Sequence, residues 1–227
     1  MKESAFISLQ VPENWERGRC VICASGPVER PDSLRSLLRP DDWVIAADGG
    51  LRLARRLSLR PSLLVADFDS CRREENSDGI PTAALPVRKD DTDTMAAARI
   101  GMERGFRNFL ILGGTGGRLD HTVANFAVLA YLCRQGAKAV MADEYGWTTM
   151  LFPGRHRVEA CPGKKLSLFA YGGIVSGLWV KNVGYPLENA VLTPDFPLGV
   201  SNEFQGDAPA EIQFTGGILQ VFVSEER

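Results

Sequence analysis

An α/β fold is what this sequence predicts: an N-terminal α/β/α sandwich around a mostly parallel sheet, followed by a C-terminal all-β sandwich. Three observations carry the prediction. Over the first two thirds of the chain, short apolar runs alternate with helix-like segments, the pattern of βα units. The runs are apolar at nearly every position, which suits strands buried on both faces of a parallel sheet. Beyond about residue 150 the helical periodicity stops, and Pro and Gly punctuate β-prone runs at intervals of about ten residues.

Strands are predicted over residues 19–24, 43–47, 62–66, 83–87, 109–112 and 137–142, each flanked by turn residues. Helices are predicted between them over 32–38, 51–57, 94–104 and 122–134, with right-handed crossovers joining parallel neighbours. In the last helix, Val123, Phe126, Ala127, Ala130 and Tyr131 recur at spacings of three and four. That periodicity predicts them as the buried face. In the C-terminal part, Pro153-Gly154, Pro162-Gly163, Gly172-Gly173, Pro186, Pro197-Leu198-Gly199 and Gly216-Gly217 separate the β-prone runs. The boundary is expected near residues 151–157, giving domains 1–150 and 151–227. No low-complexity linker and no internal repeat is visible.

The bulk composition excludes several functional classes. Hydrophobic residues make up 44% of the 227 and charged residues 24%, ordinary proportions for a globular chain. A net charge of −2 without a Lys/Arg block offers no electrostatic footprint for nucleic acid. Residues 1–7 lack the apolar core of a signal peptide, and no apolar stretch approaches the roughly 20 residues that span a bilayer. The expectation is a cytoplasmic protein with no nucleic-acid or membrane partner. Five scattered cysteines, at 20, 23, 71, 133 and 161, argue against a disulfide framework. Cys20 and Cys23 form one CxxC inside an apolar run, where residues three apart on a strand face opposite sides. Structural zinc asks for four N or S ligands, so the two read as buried thiols. His156, between Arg155 and Arg157, reads as a structural residue of the β domain.

Chemistry concentrates where hydrophobic runs give way to polar residues. Asp67-Phe68-Asp69-Ser70 follows the run Leu63-Leu64-Val65-Ala66, at the strand edge where open α/β sheets bind ligands. Continued extension through Phe68 would turn both carboxylates the same way, toward one metal; a turn in which both bond backbone N–H groups is the alternative. Asp90-Asp91-Thr92-Asp93-Thr94 precedes a helix. Capping needs one such residue, whereas three aspartates in four positions repel one another unless a divalent cation intervenes. Asp93 is the foremost candidate ligand. Gly113-Gly114-Thr115-Gly116-Gly117 joins a strand to a helix, and such a loop lets an anion approach backbone N–H groups at a helix start. It is not a Walker A loop, since no Gly-Lys-Ser/Thr follows, nor does it fit GxGxxG, because Leu119 takes the third glycine position. Arg118 can fork onto phosphate oxygens, and Asp120 can cap the helix or bind metal. Asp48-Gly49-Gly50 closes another strand, as a cap and turn or as a nucleotide contact. Carboxylates alone would repel a polyphosphate, but carboxylates holding Mg²⁺ would grip one. The parts together point to an Mg²⁺-dependent nucleotide enzyme.

In this order, the motifs resemble those of the thiamine pyrophosphokinase (thiamine diphosphokinase) family, bacterial type. The matching pieces are Ala46-Ala47-Asp48-Gly49-Gly50, Asp67-Phe68-Asp69-Ser70, Asp90-Asp91-Thr92-Asp93, Leu112-Gly113-Gly114 with Gly117-Arg118-Leu119-Asp120-His121, Pro153-Gly154-Arg155-His156-Arg157, Gly177-Leu178-Trp179 and Val200-Ser201-Asn202-Glu203. The resemblance implies transfer of the terminal diphosphate of ATP to the hydroxyethyl group of thiamine, with Mg²⁺ as cofactor, thiamine diphosphate and AMP as products, and a homodimer as the assembly. It implies Mg²⁺-organising roles for Asp67, Asp69 and Asp93. Arg118 and Asp120 match residues where thiamine and phosphate meet. Asp48, Gly49, Gly50, Thr92, Gly113, Gly114, Thr115 and Gly117 fall on the nucleotide side, and Ser201 and Asn202 in the thiamine pocket of the β domain. Eukaryotic members carry a Trp near the C-terminus that stacks on thiamine; Gly216-Gly217-Ile218-Leu219-Gln220 has none. A diphosphokinase acting on a hydroxymethyl pterin, or a non-catalytic nucleotide or thiamine sensor, would share much of this inventory.

Overall fold

A computed structural model describes residues 7–9, 18–67, 79–85 and 91–225. The chain divides into two compact units, Trp15–Glu144 and Tyr145–Arg227, the latter including β1 (Ile7–Leu9). The division lies before β8 (Gly146–Leu151), whereas the expected boundary fell at that strand's last residue. Among the described residues, no helix is long and apolar enough to cross a membrane.

The first unit is built on β2 (Cys20–Cys23), β3 (Trp43–Ala47), β4 (Leu63–Asp67), β5 (Thr82–Leu85), β6 (Asn108–Leu112) and β7 (Lys138–Ala142). All pair in parallel, in the order β7-β6-β2-β3-β4-β5. β2 to β5 step outward one way; the chain then returns to the other side of β2 for β6 and β7. α1 (Gly50–Arg56), α2 (Asp93–Glu103) and α3 (Leu119–Arg134) connect them. Segment 32–38, expected as a helix, is a 3-10 helix over Pro31–Leu37. The predicted strand 83–87 is present as β5, and residues 86 and 87 lie outside those described. Val21, Ile22, Ile45, Phe109, Leu110 and Ile111 are fully buried, as strands covered on both faces require. Cys20 and Cys23 are buried free thiols. Burial pushes Cys23 up to about 12 and raises Cys20 as well, with Asp42 adding to the latter.

Helix α3 corrects one expectation. Val123 is 65% exposed and Ala127 is also exposed, Phe126 and Tyr131 are half-buried, and Ala130 is buried as expected, together with Asn125, Val128, Leu129, Leu132 and Cys133. Both sets have helical spacing, because the helix is apolar around much of its circumference. The set with the larger aliphatic side chains meets the sheet.

The second unit is a sandwich. One sheet has the order β13 (Gly199–Glu203), β10 (Lys164–Ala170), β15 (Leu219–Glu225), β8, all antiparallel. The other runs β1, β9 (Gly154–Val158), β14 (Ala210–Phe214), β11 (Val175–Lys181), β12 (Leu187–Leu192). Alternate residues of both sheets, among them Leu166, Leu168, Val221 and Val223 against Val158, Leu178, Val180, Ile212 and Phe214, form one core. His156 belongs to it: 4% exposed, its Nε2 2.8 Å from the Phe152 carbonyl, its ring 5.7 Å from that of Phe214. The parallel pairing of β1 with β9, Ile7 opposite His156, was not foreseen from the sequence.

Candidate active site

Parallel pairing brings the C-terminal ends of β2 to β7 to one edge of the first unit's sheet. α1, α2 and α3 follow β3, β5 and β6, so each starts at that edge. Asp48, Asp67, Asp93, the loop 113–117, Arg118 and Asp120 therefore share it. Strand order reverses between β2 and β6, the position where open α/β sheets bind ligands. The loops after these strands occupy that position.

The glycine loop is held from three directions. Gly26 N–H donates to the Gly113 carbonyl at 2.8 Å. The buried Asn125 amide donates to the Gly114 carbonyl at 2.8 Å, and Thr115 Oγ1 donates to Asp143 Oδ2 at 2.7 Å. In a trans peptide the C=O and the following N–H point opposite ways. Anchoring carbonyls 113 and 114 inward thus turns N–H groups 114 and 115 outward. Among the described residues, no protein acceptor is found for the N–H groups of Gly114, Thr115, Gly116 or Gly117. Such a row can accept an anion, and α3 begins just beyond it. Glycine is required for packing here: a Cβ on Gly26 would lie 2.4 Å from the Thr115 carbonyl oxygen, and one on Gly114 2.2 Å from Met141 Sδ.

Arg118, the N-cap residue of α3, makes no side-chain cap. Its guanidinium grips Asp120 in a fork, Nε to Oδ1 at 3.1 Å and Nη2 to Oδ2 at 2.6 Å. Both side chains are exposed, 72% and 65%. The hydrogen bonds from Arg118 hold the Asp120 carboxyl below the usual carboxylate range and raise Arg118 in return. Asp120 also accepts from His121 N–H at 3.0 Å.

At the start of α2, Thr92 does the capping: its hydroxyl accepts from Met95 N–H at 3.2 Å. Asp91 pairs with Arg99 at 2.7 Å. Asp93 is the first helical residue, partly buried, where the helix dipole favours a negative charge. Asp69, Ser70 and Asp90 lie outside the described residues, as does the side chain of Asp67, whose backbone closes β4. Among the described residues, no group of three potential metal-ligating side chains occurs. Asp93, like Asp48 and Asp120 on this edge, brings hard carboxylate oxygens of the type Mg²⁺ selects.

Asp48 directly follows β3 with φ +48°, a left-handed conformation that Asp tolerates better than most residues and that clusters at functional sites. Its N–H donates to the Val65 carbonyl at 2.7 Å. A Cβ on Gly50 would fall 1.8 Å from the Cys23 carbonyl oxygen. Only glycine lets α1 start this close to β2.

In the second unit, Ser201 on β13 also has a positive φ, +58°, and its N–H donates to Ser167 Oγ at 3.0 Å. Asn202 is 6% exposed. Its amide donates to the Tyr185 carbonyl at 2.7 Å, and its oxygen accepts from the N–H groups of Tyr185 and Glu203, each at 2.9 Å. Asn202 thus clamps the turn at Tyr185 onto β13, beside the exposed Ser201.

Two carboxylates escaped the sequence reading. Asp143 and Glu144 directly follow β7; Asp143 holds Thr115, and Glu144 Oε1 accepts from Glu29 N–H at 2.9 Å. The rule that singled out Asp67, a carboxylate just past a buried parallel strand, would have found both.

Comparison with known proteins fits this geometry. The family model described as "Thiamin pyrophosphokinase, catalytic domain" matches residues 34–141, and that described as "Thiamin pyrophosphokinase, vitamin B1 binding domain" matches residues 155–219. The thiamine pyrophosphokinase of Bacillus subtilis (strain 168) is 28% identical over 204 residues, 87% of this chain and 94% of that one. The crystal structure of thiamine pyrophosphokinase from Bacillus subtilis shares the fold, with a TM-score of 0.82 at 23% identity over 93% of this chain and 100% of that one. That of a thiamin pyrophosphokinase family protein from Enterococcus faecalis gives 0.76 at 27% identity over 92% and 100%. With the two models together spanning well over half of its length, the chain is an enzyme of the thiamin pyrophosphokinase family.

Proposed function

We propose that this enzyme transfers the terminal diphosphate of ATP to the hydroxyethyl oxygen of thiamine, yielding thiamine diphosphate and AMP, as a cytoplasmic homodimer with Mg²⁺ as cofactor. The observation that carries this reading is the row of N–H groups over residues 114–117, unclaimed by any described acceptor, at the reversal of strand order. Asp48, Gly49, Gly50, Thr92, Gly113, Gly114, Thr115 and Gly117 make up the nucleotide side in this proposal. Asp67, Asp69 and Asp93 hold the metal, and Ser201 and Asn202 line the thiamine pocket. In Asn202 the amide supports the loop and leaves Ser201 to face thiamine.

The thiamine oxygen attacks the β-phosphorus, the bond from that phosphorus to the α,β-bridging oxygen breaks, and AMP leaves with that oxygen. When bound, Mg²⁺ would neutralise phosphate charge. The loop N–H groups and Arg118 take up charge on the transferred group. Arg118 is exposed and, among the described residues, paired with its neighbour Asp120, so it can exchange Asp120 for phosphate oxygens. The hydroxyl proton passes to a carboxylate, Asp120 or Asp93. The depressed carboxyl of Asp120 is a weak base, which suffices because a loose transition state asks little of one.

The test is incubation of the purified chain with ATP, MgCl₂ and thiamine, and chromatographic identification of the products. AMP and thiamine diphosphate in equal amounts are expected. ADP with thiamine monophosphate would mean an ordinary kinase, and AMP formed with a hydroxymethyl pterin but not with thiamine would reassign the acceptor.

A further inference from the structure

Asp143 and Glu144 bracket two loops that must keep their positions for the anion cradle to exist. Gly26 N–H bonds Gly113, and Pro27 packs against Gly116 and Gly117, 3.1 and 3.3 Å from where their Cβ atoms would stand. The loop carrying Pro27 is tied at its far end by Glu144, through Glu29 N–H, and by Arg56, which donates to the carbonyls of Val28 and Glu29. Asp143 takes the hydroxyl of Thr115. A carboxylate only accepts, so the proton in that bond belongs to Thr115, and a hydroxyl has one proton to give. The Thr115 hydroxyl therefore faces any ligand as an acceptor and donates nothing to a phosphate oxygen, which leaves donation to the backbone N–H.

We propose that Asp143 is a positioning residue of the nucleotide site: by fixing Thr115 it holds the 114–117 N–H row in its anion-binding orientation, while Glu144 fixes the facing loop. This rests on the nucleotide reading above and assigns its anion grip to backbone N–H groups, with the Thr115 hydroxyl as their tether. Asp143→Ala and Thr115→Val should each weaken ATP binding about tenfold, the size expected for losing a hydrogen bond to a charged group. The double variant should be no weaker than Asp143→Ala alone, because the bond that Thr115→Val removes is already lost there. Thr115→Ser, which keeps the hydroxyl, and Asp143→Asn, which keeps an acceptor oxygen, should restore most of the affinity. KM for thiamine should stay at the value of the unaltered protein.

Calorimetric titration of each variant with ATP gives the affinities without requiring turnover, and thermal melting establishes that each is folded. Unchanged ATP affinity in Asp143→Ala, additive losses in the double variant, or equal increases in the ATP and thiamine KM values would each overturn the proposal. An unaltered protein that binds ATP but forms no thiamine diphosphate would refute the reaction and leave the test of Asp143 intact. One that binds no ATP would overturn both.

Discussion

The two edges of the parallel sheet each carry an Arg–Asp fork, and they differ in everything except chemistry. At the N-terminal edge, Arg19 enters β2 and bonds Asp42 through Nε at 2.8 Å and Nη2 at 2.6 Å, with both side chains 1% exposed. Asp42 also accepts from Arg39 N–H, and Arg19 donates to the Leu37 carbonyl. At the C-terminal edge, Arg118 and Asp120 form the same fork in solvent. A buried pair is costly to break, because removing either partner strands a charge away from water. An exposed pair contributes little and separates freely. The first pair is held by burial and the second is free to separate, and beside the second lies the glycine loop whose N–H groups have no protein acceptor among the described residues.

Three substitutions probe that contrast. The largest effect should come from Asp42→Ala, which strands Arg19 and should destabilise the fold by about 3–5 kcal/mol in urea unfolding. A loss below about 1 kcal/mol would mean that the pair behaves like a surface one. Next is Asp93→Asn, expected to lower kcat at least ~100-fold by removing transition-state charge stabilisation. Near-normal turnover at saturating Mg²⁺ would remove Asp93 from the metal site. Arg118→Lys should lower kcat/KM about tenfold, since a point charge replaces a bidentate fork. Its urea midpoint should match that of the unaltered protein, and a fall like that of Asp42→Ala would erase the distinction between the edges.

The smallest effect belongs to the second unit. Burial holds His156 below its ordinary value of 6.5. Its Nε2–H donates to Phe152, while Nδ1 is buried without a partner among the described residues. The unfolded chain then binds the proton more readily than the folded one, so stability is full above pH 6.5 and falls as pH drops below it. His156→Phe should flatten that part of the urea-stability profile measured between pH 7 and pH 5, a range spanning the usual His titration. An unchanged slope would show that another group is responsible.

Much of this architecture was legible in the chain. The strand at 43–47 coincides with β3, and the helix read over 94–104 is α2 displaced by one position. Buried parallel strands and capped helices write their periods locally. Roles that depend on distant partners were not legible. Arg19 reads as the polar start of a strand until Asp42 is beside it, and nothing local announces the bonds of Asn202 to Tyr185. Thr92 and Asp91 stood among candidate ligands, and the bonds they make here, the cap to Met95 N–H and the pair with Arg99, join them to α2 as well. Helix α3 offered two apolar stripes of equal periodicity, and no local rule chooses between them.

By itself, the sequence determined the alternation of strands and helices, the change to a β sandwich, and the placement of acidic and glycine-rich segments just past buried strands. These follow from side-chain burial and backbone freedom, which act over a few neighbouring residues. The tertiary structure alone decided which α3 stripe meets the sheet, which carbonyls of the glycine loop turn inward, and that Asp143 and Glu144 secure the two facing loops. Those outcomes depend on hydrogen bonds and packing between segments remote in the chain, whose partners become neighbours only once β6 returns to the side of β2.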